Sequence, residues 1–175
     1  MWPKTSLFSS FIHWSTKCYG QDTHVPMTGQ KLVGYGFFGG QYVEEFGGTV
    51  QAHTLFVFTN PDCVSEITID RVSIFAFDGT VLYEDPLKVL KPGDEDPNLE
   101  PHEVDAVELH DYIDPQDSLM PVTVEIFWTG AKKGLPLTGW TQTAYSIFDG
   151  DENLLEVCVG ENPMVNVEQK LKPKH

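Results

Sequence analysis

Basic residues are scarce. Lysine and arginine together number 11 against 26 aspartates and glutamates, a formal net charge of -15. A chain this short of cations does not meet a nucleic-acid backbone, which is bound through basic patches, nor an anionic membrane surface. An acidic field suits a cation, a basic protein or an amine-bearing sugar, or it serves solubility alone. The deficit is uneven. Residues 1–61 balance Asp22, Glu44 and Glu45 with Lys4, Lys17 and Lys31, so the excess acid lies in residues 62–175.

Cysteine is sparse too: Cys18, Cys63 and Cys158, with no CxxC pair and no metal-ligand spacing. The odd count argues against a disulfide framework and for reduced, buried thiols, with a Cys63–Cys158 bridge across sheets as the alternative. No apolar run approaches the roughly 18 residues of a membrane helix. Met1–Cys18 has only broken apolar character (Leu7, Phe8, Phe11, Ile12, Trp14) and no small-residue cleavage site, so it is a poor signal peptide. A cytoplasmic location is favoured on that ground. Long helical periodicity is also missing, which excludes a parallel α/β sheet, whose crossover helices need about a dozen residues or more.

What remains is β-rich. Apolar residues make 41% of 175, enough for one domain that buries its own core. In Gln51–Glu84, His53–Thr59 is apolar and stops at the turn pair Asn60-Pro61; Glu66–Phe77 and Val81–Tyr83 flank Asp78-Gly79. Branched and aromatic residues between turn signals mark strands, and Asp-Gly suits a two-residue type I′ hairpin. The alternation slips at Asp70-Arg71, which predicts a β-bulge there. Leu32–Phe38 reads as a strand whose glycines signal close packing, broken at Gly39-Gly40. Glu103–Leu109 alternates, with Val104, Ala106 or Val107, and Leu109 as its inward set. Pro121–Thr129 sends Val122, Val124 and Ile126 one way and Thr123, Glu125 and Phe127 the other. Thr138–Phe148 and Leu154–Val159 flank Asp149-Gly150, echoing the first hairpin, and Met164–Val167 is a last short alternation. The expected fold is all-β: an antiparallel β-sandwich, jelly-roll or immunoglobulin-like, with a small β-barrel as runner-up. Residues 1–30 form an N-terminal arm, 31–168 the single domain and 169–175 a tail.

Chemistry-bearing groups are dispersed. Asp94, Glu95 and Asp96 with Glu100 and His102 form the densest oxygen-ligand cluster but lack the spacing of a calcium loop, so a solvated acidic loop is the plainer reading. Asp149, Asp151, Glu152 and Asn153 form a second acidic turn, in which Asp149 suits capping of nearby backbone N–H groups. The six histidines are His13, His24, His53, His102, His110 and His175, with no HxH or HExxH. His102 and His110 stand about 27 Å apart on an extended strand, so a metal site has to be assembled from distant pieces. GYGFFGG lacks the register of a phosphate loop. No residue couples to a base as a nucleophile, and no catalytic residue is assigned. The ligand-binding candidates are Trp128, Lys132, Lys133 and Trp140, two tryptophans flanking a basic loop. They suit a rim in which aromatic faces take apolar or sugar rings and lysines an anion; the alternative is that the tryptophans close the core.

The order ITIDRVSIFAFDGTVL, LKPGDED, PVTVEIFW and the Gly139-Trp140 strand resembles small bacterial β-sandwich proteins of uncharacterised function. It is also similar to the soluble transducer of microbial sensory rhodopsins. The resemblance spans roughly Gly48–Gly150 and implies a β-sandwich that oligomerises and relays a signal or binds ligand or DNA. The acidity argues against DNA, and no functional residue is carried over. Together these readings favour a non-enzymatic ligand- or protein-binding module, open to homo-oligomerisation, with a protein, small molecule or carbohydrate as partner and no cofactor. A metal-dependent cupin-like enzyme or hydrolase and a structural assembly protein are the alternatives.

Overall fold

The computed structural model describes residues 26–85, 97–114, 118–131 and 135–168. The expectations placed on residues 1–25, on Asp94, Glu95 and Asp96, on Lys132 and Lys133 and on residues 169–175 lie outside this set. The described chain is all-β and antiparallel. Ten strands run in the order β1 (Pro26–Val43), β2 (Gly48–Thr59), β3 (Ile67–Ala76), β4 (Val81–Asp85), β5 (Asn98–Leu99), β6 (Val104–Glu108), β7 (Met120–Ala131), β8 (Thr138–Phe148), β9 (Leu154–Pro163) and β10 (Val165–Glu168). A single 3-10 turn, Leu109–Asp111, follows β6.

The strands make two packed layers of one folded sheet, in the order β4-β3-β7-β1-β2-β8-β9. Pro26–Phe38 of β1 runs along β7, with a register shift between Met27 and Gln30. The last five residues of β1, Gly39–Val43, pair with β2. Gly39-Gly40 therefore does not end the strand, as its sequence suggests. It bends β1 out of one layer into the other, with Gly39 at φ 102°, a conformation only glycine takes freely. β10 lies beside Gln30–Val33 of β1, β5 beside the start of β3, and β6 beside the end of β2.

The layers meet closely where β1 crosses β2. Leu32 and Phe38 point inward, and between them Gly34 and Gly36 leave room for side chains of β2. A Cβ at Gly34 would lie 2.8 Å from the Phe56 ring, and one at Gly36 would lie 2.5 Å from Thr54 Cγ2 and Oγ1. Thr54, fully buried, uses that space. Its Oγ1 accepts from the Phe37 N–H and donates to the Phe37 carbonyl, both at 2.9 Å, and lies 2.8 Å from Thr143 Oγ1. The rest of the core follows the alternation read in sequence. Val122, Val124 and Ile126 of β7 are buried with Ile67, Ile69, Val72 and Ile74 of β3, and with Phe56, Phe58, Val107 and Leu109. Val104 is exposed instead of inward, because β6 turns its Val107 to the core.

The bulge expected at Asp70-Arg71 is present. The β3–β7 register shifts between Ile69 and Arg71, so Ile69 and Val72 both face inward. Arg71 is thereby turned outward over the Phe127 ring at 3.9 Å and paired with Glu84 at 3.0 Å, while Lys31 pairs with Glu125.

The Asp78-Gly79 hairpin differs from the expected type I′ turn. Gly79 N–H bonds to the Ala76 carbonyl, Ala76 N–H bonds to Thr80, and Gly79 alone has positive φ. This is a type I turn closed by a left-handed residue. The β8–β9 connection repeats the pattern with Asp149, Glu152 and Asn153 in place of Ala76, Gly79 and Thr80. The two Asp-Gly pairs thus occupy different positions of one turn geometry. In the second turn Gly150 is displaced, and Glu152 takes the left-handed site at φ 63°. Asp149 caps the turn as expected, its Oδ1 accepting from the N–H groups of Asp151 and Asn153.

The cysteine expectation is overturned. Cys63 is disulfide-bonded and Cys158 is free and exposed, so Cys63 and Cys158 do not pair. An odd count leaves one thiol over but does not forbid a bridge. Next to Cys63, the buried Asn60 amide donates to Ser65 O and Leu99 O, and Asp62 accepts from the N–H groups of Val64, Ser65 and Leu135. This turn ties three loops at one end of the sandwich.

Two stability outcomes follow. Gly36→Ala drives a methyl into Thr54, with an expected loss of about 1–3 kcal/mol. Glu152→Gly relieves a left-handed conformation worth about 1–2 kcal/mol, partly offset by glycine's entropy. It should stabilise by about 0.5–1 kcal/mol. Denaturant titration of both variants reads these signs; a neutral Gly36→Ala would contradict the close approach of the layers.

Candidate functional site

The bend in β1 opens a gap along one edge of β2. β1 pairs with β2 only as far as Gly39 opposite Ala52, and β6 ends at Glu108 opposite Leu55. His53 lies between these two partners. Ala52, Thr54 and Phe56 point into the core, so period-2 alternation puts His53 on the outer face. The 3-10 turn after β6 brings His110 to the same place. The His53 and His110 ring centroids are 5.2 Å apart, and Phe38 lies against His53 at 6.2 Å on the other side.

Carboxylates complete the cluster. His110 Nε2 lies 3.4 Å from Glu108 Oε2 and 3.2 Å from Asp111 Oδ1. One ligand atom each from His53, Glu108 and His110 falls within 4.8 Å of the other two. Partial burial, and then the neighbouring His110, hold the His53 imidazole below its ordinary pKa, with Glu108 and Asp111 acting in the opposite direction. The cluster borders a cleft of about 610 Å³ whose walls include Phe38, Gln41, Tyr42 and Gln51. Such an arrangement offers two imidazoles and a carboxylate to a ligand entering from the cleft.

Of the tryptophan-lysine rim, Trp128 follows the core-closing alternative. Trp128 continues the inward alternation of Val122, Val124 and Ile126 and is 1% exposed in the core, so it has no face to offer a ligand. That same spacing was the signal for its burial. Trp140 lies on the outer face of β8, 38% exposed and opposite Val57. Lys132 and Lys133 are outside the described residues. His102 is exposed at φ 67° in the turn before β6, and Glu100 nearby is exposed; neither joins the His53 cluster.

A second feature stands at the far edge of the sheet. All ten residues of β9 are exposed, among them Leu154, Leu155, Val157 and Val159. β9 pairs with β8 along one side, and no strand pairs with its other side among the described residues. The overhang forms one wall of a cleft of about 690 Å³ with Tyr35, Phe37, Phe77, Tyr145, Asn162 and Pro163 around it. Cys158 sits mid-strand, its thiol donating to Glu156 Oε1 at 3.4 Å. That hydrogen bond, with the nearby negative charge, raises the thiol pKa.

No protein-family model matches the chain, and no curated protein matches it. Among solved structures, the crystal structure of Thermotoga maritima 1070 is similar at 11% identity with a TM-score of 0.40, over 79% of this chain and 94% of that one. A likeness of that degree carries no argument about function.

The two tryptophans separate by experiment. Trp128→Ala should cost about 3–5 kcal/mol, as removal of a buried aromatic does. Trp140→Ala should change stability by well under half of that. Equal effects in denaturant titrations would contradict the core position of Trp128.

Proposed function

We propose that this chain is a non-enzymatic, protein-binding β-sandwich module that assembles with a second copy of itself along β9. The observation that carries the reading is the exposure of β9 on both faces and along its outer edge. A long edge strand with unpaired N–H and C=O groups and apolar side chains is a template for another strand. Soluble chains blunt such edges with lysines, prolines or short length. β9 runs ten residues with no lysine, and its one proline is its last residue. The other terminal strand of the sheet order, β4, has five residues.

The arrangement of charge is compatible with self-pairing in one register. An antiparallel two-fold pairing centred on Cys158 sets Glu156 opposite Gly160 of the second copy and Glu161 opposite Leu155. No two acids then face each other, although the chain as a whole carries -15. The same acidity makes the approach of two copies repulsive at long range, so screening by salt should favour assembly.

Light scattering on the full chain tests the proposal. The expected mass is a multiple of 19.6 kDa, with association strengthened from low to moderate salt. Val157→Lys with Val159→Lys should return the monomer without loss of fold, since both positions are exposed. A wild-type monomer at high concentration, or an oligomer untouched by the two lysines, would overturn the β9 reading.

A further inference from the structure

We infer that His53, Glu108 and His110 form a binding site for a divalent transition-metal ion, zinc or one of its near neighbours, open on one side to the cleft walled by Phe38, Gln41, Tyr42 and Gln51. The inference does not rest on self-assembly through β9, which lies on the other side of β8.

Three features carry it. The first is convergence. His53 comes from mid-β2, Glu108 from the end of β6 and His110 from the 3-10 turn, yet their ligand atoms fall within 4.8 Å of one another. Donors around a tetrahedral ion with bonds of about 2.0–2.2 Å stand about 3.4 Å apart. The cluster therefore closes on an ion by small side-chain rotations. Glu108 and His110 have the freedom to make them, their side chains being 45% and 50% exposed.

The second feature is donor chemistry. Two imidazole nitrogens and one carboxylate oxygen suit borderline first-row ions, whereas calcium and magnesium prefer sets made only of oxygen. The carboxylates of Glu108 and Asp111, 3.4 and 3.2 Å from His110 Nε2, account for the placement of His110. They do not account for His53. Among the described residues no hydrogen bond to a partner engages the His53 ring; its neighbours are the rings of Phe38 and His110. A half-buried imidazole facing a second imidazole and a carboxylate supplies a lone pair that no described residue engages. A cation between them would turn three electron-pair donors into a shared set.

The third feature is the backbone that positions them. His53 is fixed on a strand bonded on its other side to β8 at Ala144. Glu108 is anchored by pairing opposite Leu55, and the fully buried Leu109 pins the turn carrying His110. The site is thus held by three rigid points, with Asp111 beside His110 as a further carboxylate. The cleft leaves at least one coordination position for water or a small ligand, as in open metal sites.

The test uses untagged, chelator-treated full-length chain. Zn²⁺ titration by calorimetry should show one saturable site, and Co²⁺ in its place should develop the visible d–d absorption of a low-coordinate site. Ca²⁺ and Mg²⁺ at the same concentrations should not displace either ion. His53→Ala and His110→Ala should each weaken binding by about 100-fold or more, and Glu108→Gln by about 10-fold or more, direct ligands being at least as costly to lose as the groups that orient them. His110 is exposed, so its variant should keep the wild-type denaturation curve. His53→Gln serves as a second variant if His53→Ala unfolds. Val157→Lys with Val159→Lys should bind zinc as the wild type does, which separates this site from assembly. Absence of saturable zinc uptake, or uptake unchanged in the His53 and His110 variants, would overturn the inference.

Discussion

The close approach of β1 to β2 governs the rest of the molecule. A strand that serves two layers must cross the core, where side chains normally keep sheets about 10 Å apart. At Gly34 and Gly36 that spacing is given up: Phe56 and Thr54 fill the volume that side chains on β1 would take. The crossing exposes backbone groups of β1 to an apolar interior, and an unpaired N–H or C=O there costs about 1–3 kcal/mol. Thr54 answers both groups of Phe37 with one hydroxyl. Valine has nearly the same shape and could answer neither.

The His53 cluster and the exposed edge of β9 are consequences of that crossing. Because β1 leaves its first layer at Phe38, β2 has its partner only up to Ala52, and β6 takes over from Leu55. The interval holds His53. A continuous neighbouring strand there would have left no gap for the turn that carries His110. On the other side of the sandwich, the β1 layer ends at the four-residue β10, while the β2 layer continues through β8 to β9. The layers are unequal in width, and β8 and β9 overhang. Tyr145 and Phe37 close part of the step at 6.0 Å, but β9 lies beyond any cover from the opposite layer.

Strand positions and facing were legible in the sequence wherever a local signal was strong. Val122, Val124 and Ile126 announced the inner face of β7, the slip at Asp70-Arg71 announced a bulge, and the glycines of LVGYGFF announced close packing. Each is a short-range effect: alternation, an extra residue or a missing Cβ. The same alternation ran on to Trp128, yet the neighbouring lysines drew the reading toward a surface rim. Two turns with Asp-Gly looked alike because the dipeptide matched, whereas hydrogen bonding shows it used at different positions. His53 and His110 carried no motif at all. They are 57 residues apart, and their meeting depends on where one strand stops and another starts along β2, a long-range register that local patterning does not encode.

The distribution of charge shows how the fold treats its surfaces differently. On the outer face of the β3–β7–β1 layer, Phe127 is covered by Arg71 and flanked by the Arg71–Glu84 and Lys31–Glu125 pairs. Apolar area there is shielded by the stems and heads of long cations, which tolerate both the ring and water. Among the described residues the β9 overhang has no such cover. No lysine or arginine occurs from Thr138 to Glu168, a stretch that spans β8, β9 and β10. In a chain with only 11 cations, two that shield an aromatic or pair an acid, Arg71 and Lys31, serve one face. Exposed valines and leucines are then left on a strand whose charges are all acidic. Such a strand is poorly protected against pairing with its own kind and poorly suited to a polyanion, so the sign of its charge constrains what it can pair with as much as its shape does.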